Sequence, residues 1–364
     1  MFLVVDHNFE SMDIRAFGKD GSGRSVPIED EGAAGEAEKL KKCIRASIGK
    51  GRISAISFRI LFGGDCFDGP VLIDPVFFER FGSMTELFPF YVPPVIDMIK
   101  RFQSAFPDVP LIAFFETSFF RTLPDEEKYY ALPLEYCEEN KIRKWGFHGI
   151  YHEANAGIVP AARKVISVVF DKQTTICAVR DKNPLSISLG YTPLEGVMSR
   201  TSCGDLDPGI VFYLMNVHKY SIYQIDDMLK NQSGFVGLTG YDIELADMLK
   251  LLGKDAKVDL AFDVYRAQMM KYIGEGISVL GGLDELVFSG SNVLLFSPVI
   301  YDIVKKISFL GINVSGLPWE GRGEVIGISS DESKIKVYIN KMDIAKIIFL
   351  RSKTFLNEIQ PVSA

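Results

Sequence analysis

The amino-acid sequence predicts an α/β protein made of two similar halves around a cleft. A length of 364 residues corresponds to between two and three domains at about 150 residues each, and we expect two. A content of 47% hydrophobic and 24% charged residues is that of an ordinary globular chain. A strand, polar turn, strand pattern begins the chain and recurs from residue 163. This repeat indicates a duplicated architecture, in which ligands usually bind in the cleft.

The first half begins with a predicted hairpin. FLVV at 2–5 forms its first strand, and the alternating apolar residues Met12, Ile14 and Ala16 form the second. The other predicted elements follow in chain order: a loop at 18–38 rich in Gly, Ser, Asp and Glu, an amphipathic helix at 37–48, a strand at 53–62, a Gly63-Gly64 turn, a helix after Pro94 and a strand at 109–117. Together they make one α/β unit.

The second half repeats the hairpin and then alternates helices with short strands. RKVISVVFDKQTTICAVRD at 163–181 is its strand, polar turn, strand segment. Helices are predicted at 207–218, 221–230 and 261–280, and strands at 285–289 and 336–339. A last helix at 343–358 follows the strand that contains Tyr338. This connectivity allows the last helix to return to the first half.

Charge and targeting signals exclude several classes of function. The net charge of −7 and the pI of about 5.3 have the wrong sign for a general nucleic-acid binder. A phosphate-bearing ligand would therefore need a locally basic or glycine-rich site. No apolar run approaches the roughly 20 residues of a membrane-spanning helix, and the first residues, MFLVVDHNFE, carry acid where a signal peptide carries base. We expect a cytoplasmic protein that binds neither nucleic acid nor membrane.

The sequence also lacks the short motifs of several enzyme classes. Five widely spaced cysteines without a CxxC pair indicate reduced, mostly buried thiols rather than a zinc or redox site. There is no Walker GxxxxGK[ST] loop and no GxSxG elbow. GSGR at 21–24 is interpreted as a short flexible loop. Of the four histidines, His148 and His152 alone are close enough in sequence to suggest a site.

Six stretches resemble the acetokinase family, the acetate, propionate and butyrate kinases of the actin-like ATPase superfamily. The strongest are KYYALPLEYCEENKIRKWGFHGIYH at 128–152, SLGYTPLEGVMSRTSCGDLDPGIVFYLM at 188–215 and NQSGFVGLTGYD at 231–242, and weaker matches lie at 57–65, 87–95 and 112–124. The resemblance implies two actin-like (ribonuclease H-like) domains around a central cleft. It places one domain at 1–161 plus 343–364 and the other at 162–342.

The resemblance also implies an activity, cofactors and an assembly. The family transfers a phosphoryl group between ATP and a short-chain carboxylate, with Mg²⁺, to give ADP and an acyl phosphate. This chemistry depends on positioning and on neutralising phosphate charge. Members of the family are typically homodimers that pair through the C-terminal domain, so a homodimer is expected here.

Several residues match the carboxylate side of the family site. Arg59 aligns with the family arginine that neutralises the carboxylate. His148 aligns with the family histidine that hydrogen-bonds the transferring phosphoryl group. Glu116 stands where the family has an aspartate near metal and nucleotide, so it is the candidate metal residue. The pocket for the alkyl tail corresponds to Leu61, Phe90, Phe147 and Pro193. The alternatives are an ordinary ion pair for Arg59, a structural histidine for His148 and plain core packing for the apolar residues.

The phosphate side departs from the family pattern. In the first glycine- and serine-rich turn only Ser11 clearly survives, and the asparagine before it and the lysine that ends it become Asp6 and Asp13. An acidic side chain about 4 Å from a phosphate charge would cost on the order of 4 kcal/mol at an effective dielectric of 20. Three further segments differ from the family pattern. The family's second phosphate loop aligns with Val169-Phe170-Asp171-Lys172-Gln173, and its nucleotide loop aligns with Ser289-Gly290-Ser291-Asn292-Val293-Leu294. Its asparagine-glutamate pair aligns with Asn340-Lys341.

Weaker candidates remain for the nucleotide and for the second catalytic arginine. Lys172 offers a charge in the second loop, and Asp242 keeps the acid of the adenine side, although Glu244 replaces an arginine after it. Ser202 occupies the position of the second catalytic arginine, and Arg200 lies two residues before it. A shift of two residues along an extended segment moves the side-chain origin by roughly 7 Å.

Two main functional hypotheses follow, beside a third, a changed enzyme that uses another phosphorylated ligand, for which only Lys172 and Arg200 speak. The first is an acetate kinase-like enzyme in which Arg59 holds the carboxylate, His148 contacts the phosphoryl group and Glu116 supports Mg²⁺. The second is a pseudokinase on the same scaffold, retained to bind a small carboxylate or a protein. The second explains why phosphate-side elements are altered together while packing motifs such as PLEG and DPGI remain.

Overall fold

The computed structural model describes residues 1–7, 12–27, 37–159, 163–319 and 323–359. It divides the chain into two compact units, residues 1–121 with 343–364 and residues 122–342. The sequence analysis drew this boundary at 161 instead. Residues 122–159 group with the second unit in part because His152 and Asn155 hydrogen-bond to Ser167, on the first strand of the second sheet.

The first unit is a six-stranded mixed sheet with helices. Its strands are β1 (Phe2–His7), β2 (Met12–Phe17), β3 (Gly23–Val26), β4 (Ala55–Ile60), β5 (Val71–Leu72) and β6 (Leu111–Phe115). The sheet order is β3-β2-β1-β4-β6-β5, with β1, β4 and β6 parallel. Its helices are α1 (Ala37–Ile48), α2 (Pro75–Gly82), α3 (Val92–Ala105) and the last helix of the chain, α13 (Ile344–Ile359), which packs on β1 and β4.

The second unit repeats this topology. Its strands are β7 (Lys164–Phe170), β8 (Thr174–Arg180), β9 (Asn183–Ile187), β10 (Glu285–Ser289), β11 (Val325–Gly327) and β12 (Lys336–Asn340), in the order β11-β12-β10-β7-β8-β9. Its helices are α4 (Asp125–Lys128), α5 (Leu134–Glu139), α6 (Gly149–Asn155), α7 (Pro208–Asn216), α8 (Ile222–Asn231), α9 (Gly234–Thr239), α10 (Leu245–Leu249), α11 (Ala256–Leu280) and α12 (Ser297–Lys306). Read from β9, this order matches that of the first sheet read from β3, so the predicted duplication is confirmed.

Two local predictions are corrected. The predicted loop at 18–38, GSGR included, contains β3, which the sequence pattern misses because three of its four residues are exposed and no apolar alternation results. Gly23 packs against Phe17, and a Cβ there would lie 2.6 Å from that ring. The helix predicted after Pro94 begins at Val92, because proline is tolerated in a first turn that leaves its N–H groups without helical partners.

Each sheet has a buried core. The strands β4, β6 and β10 are buried along their whole length, as expected for central strands covered on both faces. Packing of α13 on the first sheet includes the Phe17–Phe349 ring stack at 4.8 Å and a buried hydrogen bond of 2.7 Å between the Ser57 and Ser352 hydroxyls. No helix in the described part of the chain is long and apolar enough to cross a membrane.

Glu285, at the start of β10, predicts a pH-dependent stability. Its side chain is 3% exposed, its Oε2 has no hydrogen-bond partner among the described residues, and burial followed by the charge of Asp284 raises its pKa to about 7. The unfolded chain releases this proton near pH 4.5 and the folded chain near 7, so the free energy of unfolding falls as pH rises through that interval. The fall is up to about 3 kcal/mol. Urea unfolding of Glu285→Gln at pH 5 and pH 8 should show a smaller fall than the wild type.

The control for this prediction is Glu79→Gln, which removes an exposed carboxyl of α2. This variant should keep the pH dependence of the wild type. An identical pH dependence in Glu285→Gln and in the wild type would contradict the assignment.

Candidate functional site

Three charged side chains meet at the carboxyl ends of the parallel strands of the first sheet; we call them the arginine cluster. Arg59 Nη1 donates to both Asp6 carboxylate oxygens, at 3.0 and 3.3 Å, and Arg59 Nε donates to Glu116 Oε1 at 2.5 Å. Glu116 is fully buried and Arg59 is 8% exposed. The carboxyl ends of parallel strands are where open α/β sheets bind ligands.

Strand register brings this cluster together. Asp6 on β1 pairs directly with Arg59 on β4, and neighbours in register share a face of the sheet. Arg59 pairs with Phe114 on β6, so Glu116, two residues later, returns to the same face. The Glu116 amide continues the ladder by donating to the Ile60 carbonyl at 2.9 Å. Two acids around one base leave the cluster with a formal charge of −1.

The four apolar candidates lie in different environments. Leu61 is half-buried, and its backbone amide donates to the buried Tyr91 hydroxyl at 2.7 Å. Phe90 is 89% exposed, so its side chain is not part of the core of its own unit. In the second unit Phe147 is half-buried and Pro193 is exposed. The alkyl-tail pocket assigned to these residues stays a prediction.

His148 stands at the start of α6 in a left-handed conformation with φ 59°, and it is half-buried. Its Nδ1 lies 3.0 Å from the Thr175 hydroxyl of β8. His152, one helical turn later, is fully buried, with Nε2 2.9 Å from the same hydroxyl and Nδ1 2.7 Å from the Ser167 hydroxyl. Burial and then the neighbouring His148 hold the pKa of His152 well below its usual value. His152 is therefore neutral at pH 7.

A chain of hydrogen bonds continues from Ser167 across the second sheet. Asn155 Nδ2 donates to the hydroxyls of Ser167, at 2.8 Å, and Ser289, at 2.7 Å, and Asn340 Nδ2 donates to Asn155 Oδ1 at 3.0 Å. We call the seven linked side chains the histidine network: His148, Thr175, His152, Ser167, Asn155, Ser289 and Asn340. Six of the seven are at least 95% buried, so polar groups of four strands converge beneath α6.

An acid joins two loops of the second unit, one aligned with the second phosphate loop and the other with the nucleotide loop. Asp171 Oδ1 accepts a hydrogen bond from the Lys172 amide at 3.0 Å and from the Ser291 hydroxyl at 2.9 Å. Lys172 itself is exposed. Gly290 has φ 105°, and a Cβ there would lie 2.2 Å from the Phe170 carbonyl oxygen. The two loops are therefore in close contact and are joined through the Asp171 carboxylate.

The remaining candidates also pair within the chain. Arg200 Nη1 donates to Asp242 Oδ1 at 2.7 Å, so these two candidates bind each other. Ser202 is 4% exposed and hydrogen-bonded to Ser199, and Glu244 is exposed. Ser11 lies outside the described residues.

The described side chains supply no cluster of ligands for a magnesium ion. Mg²⁺ prefers oxygen ligands in near-octahedral geometry. Within 1–7, 12–27, 37–159, 163–319 and 323–359, no group of three or more His, Cys, Asp or Glu residues could hold a metal ion. Glu116, the metal candidate, bonds to Arg59, and Lys341 stands at the aligned acid position.

The sequence analysis did not identify Asp6, Thr175, Ser167 or Asn155 as site residues. Asp6 was noted as a departure from the family pattern, and its position at the end of the predicted first strand was the available signal. Thr175, Ser167 and Ser289 are polar residues within otherwise apolar strands. Such residues signal a buried polar contact without naming its partner.

The chain is similar to known proteins over most of its length. The sequence profile described as "Acetokinase family" matches residues 14–349. An acetate kinase from Clostridium novyi (strain NT) is 31% identical over 293 residues, which cover 78% of this chain and 73% of that relative. One from Dictyoglomus thermophilum is 33% identical over 296 residues, or 79% and 74% of the two chains.

Solved structures agree with the fold. The acetate kinase of Porphyromonas gingivalis has a TM-score of 0.84 at 22% identity, over 98% of this chain and 99% of that chain. The acetate kinase of Entamoeba histolytica has a TM-score of 0.84 at 23% identity, over 97% and 98% of the two chains. The predicted α/β class with two actin-like domains is thereby confirmed.

Proposed function

We propose that this chain, which belongs to the acetokinase family, binds a short-chain carboxylate at Arg59 and has lost most of the phosphoryl transfer from ATP. The observation that carries the proposal is the position of Asp171. Its carboxylate accepts hydrogen bonds from the Lys172 backbone amide in the loop that aligns with the second phosphate loop, and from the Ser291 hydroxyl in the loop that aligns with the nucleotide loop. An acid at that point repels a polyphosphate and competes for its donors.

The carboxylate side supports retained binding. Arg59 is held by Glu116 through Nε, which fixes the guanidinium at the edge of the sheet. A guanidinium offers paired N–H donors that suit a carboxylate. Asp6 already bonds to Nη1, so an entering carboxylate must share or displace that contact. We therefore expect weak, millimolar-range binding, equivalent to about 4 kcal/mol.

Thermal-shift titrations test the proposal. Acetate, propionate or butyrate should raise the melting temperature with concentration, and Arg59→Lys, which keeps the charge without the planar fork, should weaken this effect. ATP should give no magnesium-dependent rise. A clear magnesium-dependent stabilisation by ATP would overturn the proposed loss of nucleotide chemistry.

The family reaction itself is the second candidate function. It is favoured by the retention of Arg59, Glu116 and His148 at their aligned positions, with Arg59 and Glu116 in direct contact. An acyl-hydroxamate assay with Mg-ATP and acetate, propionate or butyrate measures it. Product formation that disappears in Arg59→Lys would favour this candidate over the first.

The exposed apolar face of α7 and α8 supports a homodimer. All nine residues of α7 have incompletely buried side chains, and Phe212 is 62% exposed. Next to them Val217, Ile222 and Tyr223 are 58%, 67% and 84% exposed. Several exposed apolar side chains on two helices that contact each other indicate an interaction surface. We propose that a second copy of the chain covers this face, which lies in the C-terminal unit as the family resemblance implies.

Phe212→Glu is expected to convert the dimer to a monomer, because a charge buried at the centre of an apolar interface is strongly unfavourable. Sedimentation velocity measures the change. Phe309→Glu is the control, since Phe309 is 80% exposed on the same unit and lies outside α7 and α8; this variant should remain dimeric. A dimeric Phe212→Glu variant, or a monomeric wild type, would contradict this interface.

A further inference from the structure

The direction of the hydrogen bonds in the histidine network bears on which ring nitrogen of neutral His148 carries the hydrogen. Each link joins two side chains, and at one end the direction is fixed by a group that can only donate. The Met342 backbone amide donates to Asn340 Oδ1 at 3.0 Å. A backbone N–H has no acceptor function, so it orients the Asn340 amide with Nδ2 toward Asn155.

The asparagine orientations then set the direction at Ser167. Asn340 Nδ2 donates to Asn155 Oδ1, which leaves Asn155 Nδ2 facing the Ser167 and Ser289 hydroxyls. Ser167 Oγ accepts one of these hydrogens, so its own hydrogen is available for another partner. His152 Nδ1 lies 2.7 Å away and accepts it, which satisfies both groups.

The same donor-to-acceptor direction continues from Ser167 through His152 to Thr175. His152 is fully buried, which favours the neutral ring, and a neutral imidazole carries one N–H. With Nδ1 accepting from Ser167, that hydrogen is on Nε2 and is donated to Thr175 Oγ1 at 2.9 Å. The single hydroxyl hydrogen of Thr175 is then directed to His148 Nδ1 at 3.0 Å. The opposite direction would leave the Ser167 hydroxyl hydrogen without this acceptor, and a buried unsatisfied donor costs about 1–3 kcal/mol.

We propose that the histidine network holds neutral His148 as the Nε2–H tautomer, with Thr175, His152 and Ser167 as positioning residues. The Nε2–H group of His148 is then a hydrogen-bond donor for an anionic ligand oxygen, and the tautomer does not depend on the proposed function. A relay fixed at a backbone amide prepares the donor before a ligand arrives, so no proton has to be rearranged on binding.

Long-range ¹⁵N–¹H correlation spectra of the full chain with ¹⁵N-labelled histidine test the tautomer directly. His148→Gln assigns the resonances of His148. Above the titration range of the ring, the wild type should show Nε2 protonated and Nδ1 unprotonated for both His148 and His152. A protonated Nδ1 on neutral His148 would overturn the inference.

Variants separate the relay from a merely structural role. Thr175→Val removes the shared hydroxyl and should give mixed tautomers at His148, whereas Thr175→Ser should restore the wild-type spectrum. Thr174→Val is the matched control, because the Thr174 hydroxyl bonds to Tyr265 instead; its His148 spectrum should be unchanged. An unchanged His148 spectrum in Thr175→Val would also overturn the inference.

Discussion

Replacing Asp6 with asparagine is expected to tighten the binding of propionate about tenfold. Asp6 bonds to Arg59 Nη1 at 3.0 Å and is 19% exposed at its side chain, so its charge is only partly screened. An entering carboxylate meets both the repulsion of Asp6 and its competition for the guanidinium. The neutral amide removes the repulsion, and tenfold corresponds to about 1.4 kcal/mol. Thermal-shift titration or calorimetry of wild type and Asp6→Asn measures the ratio of affinities.

The control for net charge is Asp108→Asn, an exposed acid between α3 and β6. This variant has the same formal charge as Asp6→Asn and should bind propionate like the wild type. Equal or weaker binding in Asp6→Asn would show that Asp6 does not compete with the ligand at Arg59.

Replacing Arg59 with methionine is expected to lower the free energy of unfolding by about 3–5 kcal/mol. Glu116 is fully buried and bonds to Arg59 Nε. Without the guanidinium, the buried carboxylate keeps its desolvation cost and loses its partner. Urea unfolding at pH 7 measures the loss. Combining Arg59→Met with Asp6→Asn and Glu116→Gln should recover most of it, because no unpaired charge then remains.

An exposed ion pair is the comparison for this variant. Lys230 and Asp226 pair at 2.6 Å on α8 with about half of each side chain exposed, and Lys230→Met should cost less than about 1 kcal/mol. A loss of that small size in Arg59→Met would contradict the view that the arginine cluster is a buried charge network.

The sequence predicted the repeated hairpins and six of the thirteen α-helices in the described part of the chain, because apolar runs and alternation report burial directly. β3 was missed because an edge strand with exposed residues has no such pattern. Both signals are local, and they therefore described each half well without showing how its strands pair.

The candidate site was less predictable because its contacts come from register. The spacing of His148 and His152 places them one helical turn apart, but their hydrogen-bond partners lie on β7 and β8. Further hydrogen bonds of the histidine network reach β10 and β12. Nothing local in the sequence pairs Asp6 with Arg59, or Arg200 with Asp242. Charged residues that align with family site residues therefore form ion pairs with each other, and the sequence alone does not show these pairs.

Calorimetric titration of the wild-type chain with ATP and Mg²⁺, beside a separate titration with propionate, tests the central claim most directly. We expect saturable heat with propionate and no saturable heat with Mg-ATP up to millimolar concentration. Saturable, magnesium-dependent ATP binding in the micromolar range would contradict the claim that this member of the family has lost its nucleotide chemistry.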